Sequence, residues 1–226
     1  MAAVVAYSLL LVGVVRADNN VFVIKNLKKN SVHPLYQIRL DYPVFIQGSA
    51  TKKINNIIQV LVRKRVATMR ASFQTRGDAQ HKSDFSAQVQ VLHHAGGRYS
   101  IAWLESVYYA GAAHPLSLIQ VLNYDAVRNK FLGLSDVFKT TPSFYARLSL
   151  LCRQSLQRQF QSSGKSEFFD PHWFKQGTAA DKKNFSSWSF SPQALRVYFA
   201  EYSIAPYAAG RFVVDVPWFK LKIFRR

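Results

Sequence analysis

The sequence predicts an α+β fold in which an antiparallel sheet is packed by two long helices. Two stretches carry apolar residues at helical spacing, and two alternating stretches joined by a glycine pair indicate a hairpin. Strands and helices do not alternate one by one along the chain, as they would around a parallel sheet. With 226 residues, of which 49% are apolar and 14% aromatic, the chain can bury a sizeable core.

The first segment, residues 2–15, is an uncharged apolar run of 14 residues. It is shorter than the roughly 20 residues that span a bilayer, and Val15-Arg16-Ala17 offers small or apolar residues at the usual cleavage positions. We predict a signal peptide over residues 1–17, cut after Ala17, and a periplasmic or secreted protein with no transmembrane anchor after cleavage. Because no basic residue precedes the run, a buried N-terminal strand or helix stays open as the alternative.

In the segment from Tyr36 to Ile46, apolar and polar residues alternate and predict a half-buried strand that ends at Pro43. A helix follows, in which Ser49 or Thr51 can cap the start and Gly77 can end the last turn. It is predicted by apolar residues three and four apart on one stripe, namely Ile54, Ile57, Ile58, Leu61, Val62, Val66, Met69 and Phe73.

A hairpin is predicted next. The alternation that begins at Phe85 turns at Gly96-Gly97 into a second strand from Tyr99 to Tyr109, so the sheet is antiparallel there. After a loop from Gly111 to Pro115, a third strand is predicted from Leu116 to Tyr124.

The second long helix is predicted to begin at Thr141-Pro142, a hydroxyl at the N-cap followed by proline at the first helical position. It should run to about Gln161 and end by Gly164. The one cysteine of the chain, Cys152, lies among leucines at helical spacing and is expected to be a buried structural thiol.

Beyond this helix the periodic signals weaken. Residues 162–187 show no period and are predicted to form a long surface loop, with at most a short turn at Asp170-Pro171. Ser191-Pro192 is predicted to start one helical turn, and Leu195 to Ala200 a strand.

The closing segment, residues 199–217, is the most specific of the chain and indicates strand, forced turn and strand. Pro206 fixes φ and removes a donor, and Gly210 permits a positive φ. The strand that follows places three residues on one face, namely Phe212, Val214 and Val216. Tyr202 and Tyr207 flank the turn, and their rings either fill the core or offer a surface for sugar rings or a protein partner.

Six motifs occur in order along residues 30–220. They are Tyr42-Pro43, Ile54-Asn55, the loop from Tyr109 to Pro115, Asn123-Tyr124-Asp125, Leu134 to Phe138, and the signature from Tyr202 to Gly210. In this order they resemble a family of paired uncharacterised domains found in the ectodomain of the anti-sigma factor RsiV and in the N-terminal half of the peptidoglycan deacetylase PdaC. The last motif is the most specific.

The resemblance implies an α+β fold of two intertwined halves, a PdaC N-terminal-like half at residues 21–115 and an RsiV C-terminal-like half at residues 116–226. It also implies an extracytoplasmic location and a role in binding rather than in a reaction; in RsiV that role is recognition of lysozyme. We take eleven positions of the two motif loops as binding or fold-defining, namely Tyr109, Gly111, Ala112, Ala113, His114, Pro115, Tyr202, Ile204, Pro206, Tyr207 and Gly210. Both loops are expected on neighbouring strands of one antiparallel sheet backed by the isoleucine-rich helix.

The net charge of +18 favours polyanionic partners. Because the basic residues are spread along the chain rather than gathered into one tract, nucleic acid is not the expected partner. We expect a non-catalytic envelope binding domain that recognises peptidoglycan, a wall hydrolase or an anionic envelope polymer. A strongly basic hydrolase would be repelled at long range, so a hydrolase partner should be acidic.

No catalytic residue, metal or cofactor is predicted. His93 and His94 are adjacent on a strand and point to opposite faces, and neither a His-Glu-x-x-His motif nor paired cysteines occur. Two alternatives stay open. One is an envelope hydrolase in which His114 meets Glu105 or another acid within hydrogen-bond reach. The other is a nucleic-acid binder whose basic groups converge on one face.

Overall fold

The computed structural model describes residues 4–17, 20–46, 51–76 and 81–226, with side chains described from residue 28 onward. The chain divides into two compact units. Unit 1 comprises the residues up to Leu118 together with Ala126–Arg128, and unit 2 comprises Ile119–Asp125 and Asn129–Arg226. None of the helices in the described ranges combines the length and apolar character that a membrane crossing requires.

Unit 1 is built on five strands that are hydrogen-bonded in chain order. They are β1 (Val4–Ala17), β2 (Asn20–His33), β3 (Tyr36–Phe45), β4 (Ser83–Ala95) and β5 (Arg98–Tyr108). All neighbours run antiparallel except β3 and β4, which are parallel because helix α1 (Thr51–Arg76) carries the chain back between them. The strand predicted from Tyr36 is confirmed, although it continues past Pro43 to Phe45, and the 85–109 hairpin is confirmed as well. Residues 4–17 of the predicted signal peptide form β1, and the cleavage stays a prediction.

Helix α1 packs its predicted stripe against β3. Six of the stripe residues are at most 5% exposed, namely Ile54, Ile58, Val62, Val66, Met69 and Phe73. Asn55 ties the helix to the strand end, because its side chain accepts from Phe45 N at 2.9 Å and donates to Phe45 O at 2.8 Å. The Ile54-Asn55 motif thus combines a buried core residue with a side chain that hydrogen-bonds the end of β3. The proposed cap Ser49 and terminator Gly77 lie outside the described residues.

Unit 2 begins with β6 (Leu116–Asp125), which belongs to it from Ile119 onward and pairs antiparallel with β7 (Lys130–Leu132). Three α-helices follow, namely α2 (Leu134–Val137), α3 (Pro142–Ser162) and α4 (Pro171–Gly177). An antiparallel sheet in the order β10-β9-β8 is formed by β8 (Trp188–Phe190), β9 (Ala194–Phe199) and β10 (Phe212–Pro217). Four short 3-10 helices complete the unit, at Ser166–Phe168, Lys182–Phe185, Tyr207–Ala209 and Trp218–Phe224.

Helix α3 confirms the second predicted helix. The Thr141 hydroxyl caps it by accepting from Phe144 N at 3.3 Å. Its apolar face packs on β10 and includes the fully buried Leu148, Cys152 and Leu156. The strand meets it with the three predicted core residues, Phe212, Val214 and Val216, which are at most 3% exposed.

The prediction of a long surface loop over residues 162–187 is wrong. This region holds two 3-10 helices and α4, and it contributes Phe174 and Phe185 to the core at 5% and 0% exposure. The elements are only three to seven residues long, so none of them shows a full hydrophobic period. Ser191-Pro192 is likewise not helical; it lies in the β8–β9 hairpin, where Ser191 N donates to Ala194 O at 3.0 Å.

The expectation that both motif loops lie on neighbouring strands of one sheet is also wrong. The loop from Tyr109 to Pro115 joins β5 to β6, whereas the turn from Tyr202 to Gly210 joins β9 to β10. The three-stranded sheet contains neither β5 nor β6. Alternation along a strand indicates which face is buried but does not specify the neighbour with which the strand pairs.

Candidate functional site

The turn between β9 and β10 is anchored into the core of unit 2. Three of its residues are at most 2% exposed, namely Ile204, Ala205 and Ala209. After Pro206 the chain makes one 3-10 turn, in which Ala209 N donates to Pro206 O at 3.0 Å and Gly210 N to Tyr207 O at 2.8 Å. Gly210 leaves the turn with φ of 70°, as predicted. Ile204 is thus a buried anchor of the turn, and Pro206 and Gly210 lie at its two ends; that these positions define the fold stays a prediction.

Tyr202 has a backbone conformation that a tyrosine rarely adopts. Its φ is 64°, in the left-handed region that strains a bulky residue by about 1 kcal/mol or more. The conformation directs the ring outward, where the residue is 44% exposed. Trp173 supports this geometry, because its indole Nε1 donates to Tyr202 O at 2.9 Å.

Three aromatic rings lie side by side at this turn, and we call Trp173, Tyr202 and Tyr207 the aromatic patch. The centroids of Trp173 and Tyr202 are 6.3 Å apart with the rings 18° from parallel. The centroids of Tyr202 and Tyr207 are 5.8 Å apart at 35°. Tyr202 is exposed and the two flanking residues are half-buried. The patch offers an apolar surface held on a rigid backbone, which suits the apolar face of a ligand ring.

Helix α4 positions the tryptophan of the patch. Asp170 is its N-cap, with Oδ1 accepting from Trp173 N at 2.7 Å, and Pro171 occupies the first helical position. This is the same signature that predicted α3 at Thr141-Pro142. The sequence does not indicate Trp173 as a site residue, because the helix that starts at Asp170-Pro171 has only seven residues and shows no hydrophobic period.

Charged groups surround the turn. Lys165 donates from Nζ to Ala209 O at 2.7 Å and lies 5.0 Å from the ring centroid of Phe212. At the foot of the turn, Arg211 Nε lies 3.9 Å from Glu201 Oε1. The side chain of Glu201 is 11% exposed, whereas that of Arg211 is 40% exposed. Charges of both signs therefore border the patch, because Arg211 and the capping residue Asp170 are both exposed.

The first motif loop lies in unit 1 and is pinned by Tyr109. The Tyr109 hydroxyl lies 3.1 Å from Ser72 Oγ of α1, and its ring packs edge-on against Phe73 at 5.6 Å. Its carbonyl also accepts from Ala112 N at 2.9 Å. Gly111 supplies the positive φ of the loop, 81°, so Ala112 needs none. Tyr109 and Gly111 thus shape this loop, and their role as fold-defining positions stays a prediction.

The rest of this loop is exposed. Ala112, Ala113, His114 and Pro115 are all exposed. The imidazole Nδ1 of His114 lies 2.9 Å from Pro115 O, a local contact that shapes the end of the loop.

Glu105, the proposed acid partner of His114, is bound by Arg65 of α1. Arg65 donates from Nε to Oε1 at 2.9 Å and from Nη2 to Oε2 at 2.5 Å. The Glu105 side chain is 8% exposed, and the Arg65 guanidinium lies 5.5 Å from the Phe85 ring centroid. This bidentate pair gives the carboxylate a structural role between α1 and β5.

The two histidines of β4 lie at an irregular part of the strand, not on the regular strand that the sequence predicts. A register shift between Val91 and His93 places a bulge there. His94 is 7% exposed and stacks on Tyr99 with centroids 4.0 Å apart. Burial, with a smaller contribution from His93, lowers the pKa of His94 to about 4. In the part of the chain that the structure describes, no three His, Cys, Asp or Glu side chains group together as metal ligands.

The segment that contains the aromatic turn matches a known sequence family. Residues 135–219 match the model of DUF3298, a family described as protein of unknown function. Over 173 residues, 75% of this chain, the sequence is 25% identical to the peptidoglycan-N-acetylmuramic acid deacetylase PdaC of Bacillus subtilis. The chain spans 35% of the length of that protein.

Two solved structures share the fold. A DUF3298 family protein from Pseudomonas aeruginosa is 13% identical, with a TM-score of 0.62 over 100% of this chain and 93% of that chain. A DUF3298 family member from Bacteroides fragilis is 13% identical, with a TM-score of 0.61 over 99% and 94%. Together the matches support a PdaC-like DUF3298 domain, while the specific resemblance to RsiV stays a prediction.

Proposed function

We propose that this chain, with its PdaC-like DUF3298 domain, is a non-catalytic binding protein of the bacterial envelope, and that the aromatic patch binds a glycan strand of the cell wall. The observation that carries the proposal is the conformation of Tyr202. The strained backbone places the Tyr202 ring outside the core of unit 2, where it lies against Trp173 and Tyr207 and the residue stays 44% exposed. Strain of this kind is retained where it prepares a surface for a ligand.

The chemistry of the patch matches a wall glycan. Sugar rings present apolar C–H faces, which pack against aromatic rings, and the peptide stems of the wall polymer add carboxylates. Arg211, whose side chain is 40% exposed, lies on the turn that carries the patch and can pair with such a carboxylate. The net charge of +18 adds long-range attraction to an anionic polymer.

The relative supports the same substrate class. PdaC is named as a deacetylase of peptidoglycan N-acetylmuramic acid, and the residues of this chain that match DUF3298 include the whole 202–210 turn. We therefore assign this chain to the periplasm or the secreted fraction, where wall glycan is accessible, and we assign its binding to the wall polymer itself.

The test is co-sedimentation of the full chain with insoluble peptidoglycan at low and high salt. Tyr202→Asn removes the ring while keeping a residue that tolerates a positive φ, so the turn is preserved. Trp173→Ala removes the neighbouring ring. The matched control is Phe131→Ala, because Phe131 is an aromatic residue 48% exposed outside the patch. Both patch variants should bind about tenfold more weakly than the wild type, and the control should bind normally.

Three results would contradict the proposal. Patch variants with native circular dichroism that bind peptidoglycan as well as the wild type would show that the rings do not contact the glycan. Release of acetate or of new reducing ends during the incubation would show that the protein is an enzyme. Salt-sensitive capture of DNA with no retention on peptidoglycan would favour a nucleic-acid binder.

A further inference from the structure

The 3-10 helix Trp218–Phe224 divides its residues among three faces. Because a 3-10 helix has three residues per turn, residues three apart share a face. The inward face carries Trp218, Leu221 and Phe224. Leu221 is fully buried, and the two aromatic residues pack on the core of unit 2. Phe224 meets Phe144 with ring centroids 5.5 Å apart. This face anchors the segment firmly.

The two outward faces combine apolar and basic residues. Phe219 is 68% exposed and Ile223 is 75% exposed, which makes them two of the most exposed large apolar residues in the described ranges. Lys220 and Lys222 alternate with them and are exposed as well. Residues 218–226 contain four cations and no carboxylate. We call residues 218–226 the basic apolar segment.

We propose that the basic apolar segment docks this protein on the surface of a membrane rich in anionic lipid. Phe219 and Ile223 would enter the boundary between headgroups and acyl chains, and Lys220 and Lys222 would pair with the anionic headgroups. The rigid inward face already holds these four side chains outward, so docking needs little ordering of the chain.

Charge complementarity selects this occupant. A second copy of the chain would bring another charge of +18 and repel the first at long range. A purely electrostatic polyanion partner would use the lysines but leave Phe219 and Ile223 in water. An anionic membrane uses both kinds of side chain at once.

The neighbouring carboxylate does not oppose this surface. Phe219 borders a cleft of about 750 Å³ that is also lined by Asp215. Asp215 is paired with Arg196, whose Nε lies 2.7 Å from its Oδ1. The proposal rests on residues outside the aromatic patch, so its test is independent of the test of glycan binding.

The test is sedimentation of the full chain with vesicles of phosphatidylcholine alone and with vesicles of equimolar phosphatidylcholine and phosphatidylglycerol. Phe219→Ser/Ile223→Ser removes the apolar contacts and Lys220→Gln/Lys222→Gln removes the charges. Matched controls lie elsewhere on unit 2. Leu150→Ser changes an apolar residue that is 47% exposed, and Lys182→Gln/Lys183→Gln removes two exposed lysines.

We expect the wild type to sediment with the anionic vesicles and not with phosphatidylcholine alone. Each segment variant should bind the anionic vesicles about tenfold more weakly, and the controls should bind as the wild type does. The lysine variant should lose mainly the salt-sensitive part of the binding. Single variants Phe219→Ser and Lys222→Gln should show smaller losses of the same kind, which keeps the test decisive if a double variant folds poorly.

Equal vesicle binding by the segment variants and the controls would overturn the proposal. Equal binding of the wild type to neutral and anionic vesicles would do the same. Binding of duplex DNA that depends on the lysines but not on Phe219 and Ile223, without vesicle binding, would replace the membrane with nucleic acid as the occupant.

Discussion

The backbone of Gly177 lies directly against the backbone of Ser203. A Cβ atom at position 177 would lie 1.8 Å from the carbonyl oxygen of Ser203 and 2.8 Å from Cγ2 of Ile204. No side chain fits in this space, so α4 can end against the aromatic turn only with glycine at its last position. This contact helps to set the position of Trp173 relative to Tyr202.

Gly177→Ala should therefore destabilise unit 2 and displace the patch. We expect the free energy of unfolding to fall by about 3 kcal/mol, because the clash is with backbone rather than with a flexible side chain. Peptidoglycan binding should weaken with it. Urea denaturation and co-sedimentation measure the two effects. The matched control is Gly133→Ala, where the new Cβ would lie 3.6 Å from Ser135 Oγ and the loss should stay under about 1 kcal/mol. Similar losses for the two variants would refute the steric argument.

Breaking the Arg65–Glu105 pair should destabilise unit 1. Arg65→Met leaves a carboxylate that is 8% exposed without its partner, and we expect a loss of about 2 to 3 kcal/mol, since the arginine is partly solvated. Arg65→Met/Glu105→Met should recover most of it, because both charges are gone. Chemical denaturation of the wild type and of both variants measures these free energies of unfolding.

The exposed pair Arg39–Asp84 provides the comparison. Its side chains are 48% and 29% exposed, so Arg39→Met should lower the free energy of unfolding by less than about 1 kcal/mol. A double Met variant at positions 65 and 105 that is no more stable than Arg65→Met would argue against a charge effect.

His94 should make unit 1 less stable in acid. Its pKa is lowered from 6.5 to about 4 by burial, so the unfolded chain binds the proton more readily than the folded one. Stability that is fully present above pH 6.5 is therefore lost as the pH falls toward 4, by up to about 3 kcal/mol. His94→Phe keeps a ring against Tyr99 and removes the titration. The free energy of unfolding of the wild type should fall relative to that of His94→Phe as the pH falls; parallel pH profiles would contradict the prediction.

Cys152 should be unreactive while unit 2 is folded. It is fully buried, and burial raises the pKa of its thiol to about 12. Because the thiolate is the reactive form, Ellman's reagent at pH 8 should label the thiol only as fast as unit 2 opens. Labelling in denaturant should reach one thiol per chain, since Cys152 is the one cysteine. Rapid labelling of the native protein would show that the site is open.

Helices and turns can be predicted from the sequence where their signal extends over enough residues. The α1 stripe from Ile54 to Phe73 and the Thr141-Pro142 start of α3 were predicted because their helices span 26 and 21 residues. Asp170-Pro171 carries the same start signal, but α4 has seven residues and no visible stripe. The positive φ of Gly210 was predicted because glycine favours it, whereas that of Tyr202 was missed because tyrosine does not.

The sequence by itself determined the α+β class, the two long helices, the glycine-paired hairpin and the proline turn, because each depends on side chains a few residues apart. Only the tertiary structure decided that the two motif loops belong to different sheets, that Trp173 meets Tyr202 across 29 residues, and that Arg65 meets Glu105 across 40. Contacts over such separations depend on how helices and strands pack against each other after they form. Periodicity along the chain shows which face of an element is buried, but not which other element it packs against.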